Sequence, residues 1–146
     1  MDMTGEQVIP QTQDVTWKAL NDTQILKACI PGCEELERTE DNGFRATAKM
    51  KVGPVSARFK GKVMLSDLDP PNGYRISGEG EGGVAGFAKG GATVALSEKD
   101  GGTLLSYNVE AQIGGKLAQL GQRLINGAAK KVADEFFANF GKAVQG

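Results

Sequence analysis

Histidine is absent from this 146-residue sequence. Without it neither a Ser-His-Asp triad nor a Cys-His nucleophile pair can be built. Metal sites lose their commonest ligand too, because zinc normally takes four Cys or His ligands and the chain has only two cysteines. Cys29 and Cys33 lack the Cys-x-x-Cys spacing of redox sites, and in a reducing compartment they are expected to be buried thiols. An excess of either charge is missing as well. Seventeen basic residues stand against eighteen acidic ones, for a net charge of -1, so no global field attracts nucleic acid. No apolar run approaches the roughly 20 residues of a membrane span. Residues 1–10 carry neither the basic start nor the apolar core of a secretory signal, so a cytoplasmic location is expected. These absences predict a protein without catalytic residues, metal or covalent cofactor.

Glycine, by contrast, is abundant at 21 residues, about twice its usual share of roughly 7%. Part of it is turn chemistry: Asp41-Asn42-Gly43, Gly53-Pro54, Asp69-Pro70-Pro71-Asn72-Gly73 and Asp100-Gly101-Gly102 all favour tight reversals. Between these turns apolar and polar residues alternate. Phe44, Ala46, Ala48, Met50 and Val52 share one face; Val55, Ala57, Phe59, Gly61, Val63 and Leu65 share the next. Tyr74 to Gly80, Ala92 to Leu96 and Leu105 to Ile113 continue the series. A period of two with short turns predicts about seven antiparallel strands with one face buried, counting strands near Met3–Ile9 and Glu34–Thr39.

Helical signals flank the strands. Thr12 and Asp22 are placed to cap two short helices, the second stopped by Pro31-Gly32. From Lys116 onward Leu117, Leu120, Leu124, Ala128, Val132, Phe136 and Phe140 recur at helical spacing, predicting one long C-terminal helix. The fold class is α+β, residues 1–146 forming a single domain in which a curved antiparallel sheet is gripped by that helix.

The face assigned to the interior is unusually small. Ala46, Ala48, Ala57, Gly61, Gly78, Gly80, Ala88 and Ala92 stand where a packed core would favour larger apolar residues. Either strong curvature draws the sheet onto the helix, or something else fills the space. Phe87 has the opposite parity from Ala92 to Leu96, which suggests a bulge near Gly90-Gly91.

Trp17-Lys18-Ala19-Leu20-Asn21-Asp22, then Cys29-Ile30-Pro31-Gly32-Cys33 and Leu36, resemble the start of the G-subunit family of carbon monoxide dehydrogenase. The glycine-rich strands and terminal helix agree, so the resemblance extends over essentially the whole chain. It implies the helix-grip fold of the START-like and Bet v 1-like superfamily, with an apolar cavity between sheet and helix. It also implies an accessory role beside a molybdenum-containing carbon monoxide dehydrogenase or related hydroxylase, and peripheral contact with the inner face of the plasma membrane. Such proteins often carry a membrane-contacting extension after the domain. This sequence ends at Gly146, straight after the helix, so direct anchoring is the weaker expectation. A bound quinone or lipid is the expected ligand.

The expected cavity residues are Trp17, Ala48, Phe59, Gly78, Gly80, Ala88, Tyr107, Leu117, Leu120, Leu124 and Ala128. Phe136 and Phe140 should seal one end, leaving room under the first half of the helix, and the Tyr107 hydroxyl could orient a polar head. Lys49, Lys51, Arg58, Lys60 and Lys62 share the outer face. Glu79 and Glu81 can pair with them across strands; the alternative is a basic docking patch for a partner. Residues 78–83, Gly-Glu-Gly-Glu-Gly-Gly, do not read as a phosphate cradle, because strands flank them and the glutamates repel phosphate.

Overall fold

Antiparallel pairing follows from the short turns, and in a computed structural model describing residues 1–145 they join seven strands into one sheet. Strand β1 (Asp2–Ile9) leads into helices α1 (Gln13–Leu20) and α2 (Thr23–Cys29). Strands β2 (Cys33–Arg38), β3 (Gly43–Val52), β4 (Val55–Asp69), β5 (Gly73–Glu81), β6 (Phe87–Lys99) and β7 (Gly102–Gly114) form a meander. Helices α3 (Lys116–Gln119) and α4 (Gln122–Gln145) follow, and a single 3-10 turn, Gly83–Ala85, joins β5 to β6. The sheet order is β1-β7-β6-β5-β4-β3-β2, so β1 closes onto the last strand and the helices between β1 and β2 span the sheet.

Both short helices begin where their caps predict. The Thr12 hydroxyl accepts from the Val15 amide at 3.3 Å, and the Asp22 carboxylate accepts from Gln24 and Ile25 at 2.9 and 3.2 Å. Each bond satisfies amides that a helix start leaves unpaired, worth about 1 kcal/mol per cap. The C-terminal helix departs from expectation. Gly121 takes φ +91°, a conformation costly for any residue with a Cβ, and divides the expected single helix into α3 and α4. The long helix therefore restarts at Gln122 with its own phase.

The core sits at one end. Ile9, Leu20, Cys29, Tyr74, Val94, Leu96, Leu105, Phe140 and Val144 pack together there, with Phe140 wholly inaccessible to solvent. Beneath them Thr103 donates to the Gln11 carbonyl at 2.7 Å and Thr16 to the Thr12 carbonyl at 2.8 Å, their hydroxyls 3.3 Å apart. The turns at this end are β2–β3, β4–β5 and β6–β7; the β3–β4 and β5–β6 connections and the β7–α3 passage lie at the other. Register between β5, β6 and β7 runs without a shift, so there is no bulge at Gly90-Gly91. Phe87 keeps its parity and lies on the outer face, 46% exposed, its ring against Gly114.

Candidate functional site

Register aligns the small residues into rows. Ala46, Gly61, Gly80 and Ala88 stand directly opposite one another across β3 to β6, with Ile113 next on β7. The neighbouring row is Phe44, Val63, Gly78, Gly90 and Ala111, and Ala48 faces Phe59 on the other side. All these face inward, yet Ala46, Ala48, Ala57, Phe59, Gly61, Gly78, Gly80 and Ala88 are only half-buried. On the same face at the core end, Tyr74, Val94, Leu96 and Leu105 are at most 8% exposed. The inner face is thus closely packed in one half and half-exposed in the other.

Curvature accounts for some of these glycines. A Cβ on Gly61 would lie 2.7 Å from the Glu79 carbonyl oxygen, and one on Gly90 would strike the Glu110 carbonyl. At Gly80 the nearest atom would be 3.7 Å away, an ordinary contact. Close strand approach requires Gly61 and Gly90. It does not require Gly80.

An aromatic ladder runs from Tyr107 into the core. Tyr107 stacks on Phe137 at 5.4 Å, Phe137 meets Phe136 edge-on at 5.1 Å, and Phe136 stacks on Phe140 at 5.8 Å. Gly5 makes the first contact possible, since the Tyr107 ring lies across its Cα where a side chain would stand. At the far end Leu117, 7% exposed, is buried as α3 packs against β7 and the 3-10 turn. Leu120 and Ala128 are half-buried between these limits.

Two expected members lie elsewhere. Trp17 packs edge-on to Tyr74 at 5.3 Å, as part of the core. Leu124 is 41% exposed and reaches over Gly53 in the β3–β4 turn, because successive steps of four drift about 40° each around a helix of 3.6 residues per turn and carry the start of α4 off the face that Phe136 and Phe140 bury. Ile125, Ala129, Ala133 and Phe137 are half-buried beside Ala128, Val132 and Phe136. Sequence reasoning missed them by taking every fourth residue of α4, a line too narrow for the buried face. The available signal was the apolar pairs Leu124-Ile125, Ala128-Ala129, Val132-Ala133 and Phe136-Phe137, which mark a wider face than one residue in four.

Two depressions mark the surface around the sheet. A half-open groove of about 340 Å³ runs between β1 and α4, lined by residues 2–7, Tyr107, Asn126, Lys130 and Asp134. Lys130 donates to Asp134 at 2.9 Å there, and the carboxylate holds the ammonium pKa above its usual value. The Tyr107 hydroxyl borders this groove and has no protein hydrogen-bond partner among the described residues. A wider depression of about 770 Å³ lies on the outer face, where Gly78 and Gly90 leave the sheet thin.

The outer face also differs in its pairing. Lys60 and Lys62 are directly opposite Glu81 and Glu79, but neither glutamate closes an ion pair among the described residues. Lys62 turns instead to Asp41 at 3.7 Å, and Arg58 clasps Glu34 at 2.6 and 3.2 Å. The hydrogen bond from Arg58 holds the Glu34 carboxyl below the usual carboxylate range. Lys49, Lys51 and Lys60 form no ion pair among the described residues. Burial pushes both thiols up, Cys29 being 1% exposed, so neither is poised as a thiolate.

The sequence model of the family described as the G subunit of carbon monoxide dehydrogenase (CoxG) matches residues 5–145. A conserved protein from Geobacillus kaustophilus of known structure is 30% identical, with 99% of this chain and 95% of that one covered and a TM-score of 0.93. A protein from Thermus thermophilus is 15% identical over 99% of this chain and 97% of its own, with a TM-score of 0.73. Ara h 8.0201, a Bet v 1-like protein, is 17% identical over 100% of this chain and 99% of its own, with a TM-score of 0.66. At these lower identities the likeness shows the helix-grip fold alone. No curated protein sequence matches the chain significantly.

Proposed function

The chain belongs to the CoxG family, the G subunit of carbon monoxide dehydrogenase, and from that premise we propose that it holds an apolar ligand in the sheet-helix hollow while serving a molybdenum-containing enzyme of that type. The observation that carries this reading is the incomplete packing of the Ala46–Gly61–Gly80–Ala88 row, which faces inward and stays half-exposed. Apolar surface of this kind is stabilised by whatever removes it from water, at roughly 25 cal/mol per Å². An isoprenoid quinone suits the chemistry: a long apolar tail for the hollow, and carbonyl oxygens that can accept from the Tyr107 hydroxyl or Lys130 at the groove. Such a ligand would let a redox enzyme pass electrons towards the membrane. The protein supplies no catalytic group in this reading; it shields and orients.

Organic extraction of purified protein, followed by mass spectrometry, tests the proposal. A quinone or lipid recovered in near-stoichiometric amount is expected. Protein that is reproducibly empty and takes up no added quinone would overturn it.

The unpaired Lys49, Lys51 and Lys60 favour a second reading, in which the outer face docks the enzyme and the hollow has no role. Charge reversal at these three should then abolish co-purification with the enzyme. Bound ligand, where present, should remain.

A further inference from the structure

An open sheet has two free edges, here β2 and β1, and they differ. β2 is six residues long, carries a bulge between Cys33 and Glu35, and has α2 packed against it. A short, bulged and covered strand is a poor template for another. β1 is eight residues long and pairs with β7 without a shift of register. Met1 and Ala111 exchange both backbone hydrogen bonds, each at 2.9 Å, and that phase assigns Met3, Gly5, Gln7 and Ile9 to bonds with β7. The backbone amides and carbonyls of Asp2, Thr4, Glu6 and Val8 therefore point away from the sheet, and none is hydrogen-bonded among the described residues. This free edge opens onto the groove between β1 and α4, whose strand side is formed by residues 2–7. Across it Asn126, Lys130 and Asp134 stand at four-residue steps along α4, a polar line of about 12 Å facing about 17 Å of strand.

We propose that this groove takes an extended peptide segment of a partner protein, which adds to the sheet as an antiparallel strand beside β1 and carries basic residues opposite Asp2 and Glu6. The backbone of such a segment needs hydrogen-bond partners on both sides. The β1 edge supplies them on one side, and the amide, ammonium and carboxylate of Asn126, Lys130 and Asp134 on the other. Lys130 and Asp134 form an exposed pair within one helix, so they exchange partners at little cost. Antiparallel addition continues the pairing of the whole sheet and is the slightly more stable arrangement per residue. Charge selects the occupant. Asp2, Glu6 and Asp134 outnumber Lys130 in the groove, and neither Asp2 nor Glu6 forms an ion pair among the described residues. Side chains opposite these two on an added strand lie four residues apart on its outward face. Val8, 61% exposed on the same face, suits an apolar residue two places before the first cation. A second copy of this chain fits worse, because two carboxylates from each β1 would share one face and each α4 would stand in the other's way. The proposal goes beyond the ligand reading above and does not rest on it.

The test titrates the full chain, freed of lipid by extraction, with the capped peptide Val-Thr-Lys-Val-Thr-Val-Lys, and follows backbone amide exchange by NMR. Bound peptide should slow exchange at Thr4, Glu6 and Val8 and change Met3, Gly5 and Gln7 little, since those amides are already bonded to β7. The same peptide with glutamate in both lysine positions should bind about tenfold more weakly. In the variant Asp2→Lys with Glu6→Lys that order should reverse. Thr4→Pro removes one free-edge amide and no bond to β7, so it should unfold near the wild-type midpoint and lose the peptide. Should Thr4→Pro fail to fold, the reversal of charge preference decides. Absence of binding at millimolar peptide, equal binding of the two peptides, or binding that leaves Thr4 and Glu6 exchanging as before would overturn the proposal. So would a chain that sediments as a dimer with those amides already protected, since the edge would then belong to a second copy.

Discussion

Gly61 and Gly80 face each other across β4 and β5, and adding one methyl group to each should have opposite effects. In Gly61→Ala the new Cβ would lie 2.7 Å from the Glu79 carbonyl oxygen and 3.3 Å from the Gly80 Cα, so backbone has to move. Overpacking of that kind costs about 1–3 kcal/mol. In Gly80→Ala the nearest atoms lie at 3.7 and 3.9 Å, and φ is outside the left-handed region. There the substitution mainly removes freedom from the unfolded chain, a gain of about 0.4–1 kcal/mol. At roughly 3 °C per kcal/mol for a chain of this size, Gly61→Ala should melt about 3–9 °C lower and Gly80→Ala about 1–3 °C higher. Calorimetry measures both on the same scale. Equal losses would refute the reasoning, because both glycines would then serve close strand approach and Gly80 would not mark unfilled space.

Burial pushes the Tyr74 phenol up to about 12. The unfolded chain, titrating near 10, loses this proton first, so the contribution is intact below about pH 10 and disappears as pH rises through about 12, at most about 3 kcal/mol. Tyr74→Phe should remove that part of the alkaline fall in urea midpoint while keeping the edge-on contact with Trp17. Thr103→Val should cost about 1–3 kcal/mol in urea unfolding, since it deletes the 2.7 Å bond to the Gln11 carbonyl inside the core.

The strands were legible because alternation and turn residues report the same boundaries independently. Thr12 and Asp22 marked the helix starts for a similarly local reason. What escaped the sequence depended on distant contacts. Leu124 fitted a stripe of every fourth residue, but such steps drift about 40° each around a helix of 3.6 residues per turn, and Leu124 ended over the Gly53 turn. Phe87 suggested a bulge because an exposed aromatic is costly, and nothing local shows that the ring can lean on Gly114. Lys62 had Glu79 opposite it, yet a long flexible side chain reached Asp41 from another turn. The row of small residues was visible from the start as a choice between curvature and space. The contacts an added Cβ would meet separate the glycines: Gly61 and Gly90 are required by close strand approach, and Gly80 is not.

The central claim, that this space accepts an apolar molecule, is tested most directly by ligand-induced stabilisation of wild type and a filled variant. Delipidated wild type unfolded in urea with a soluble short-chain quinone at a hundredfold excess over its Kd should gain about 2.7 kcal/mol. Gly80→Leu, whose side chain would occupy the hollow, should fold and gain nothing. Equal stabilisation of both proteins, or of neither, would contradict the account.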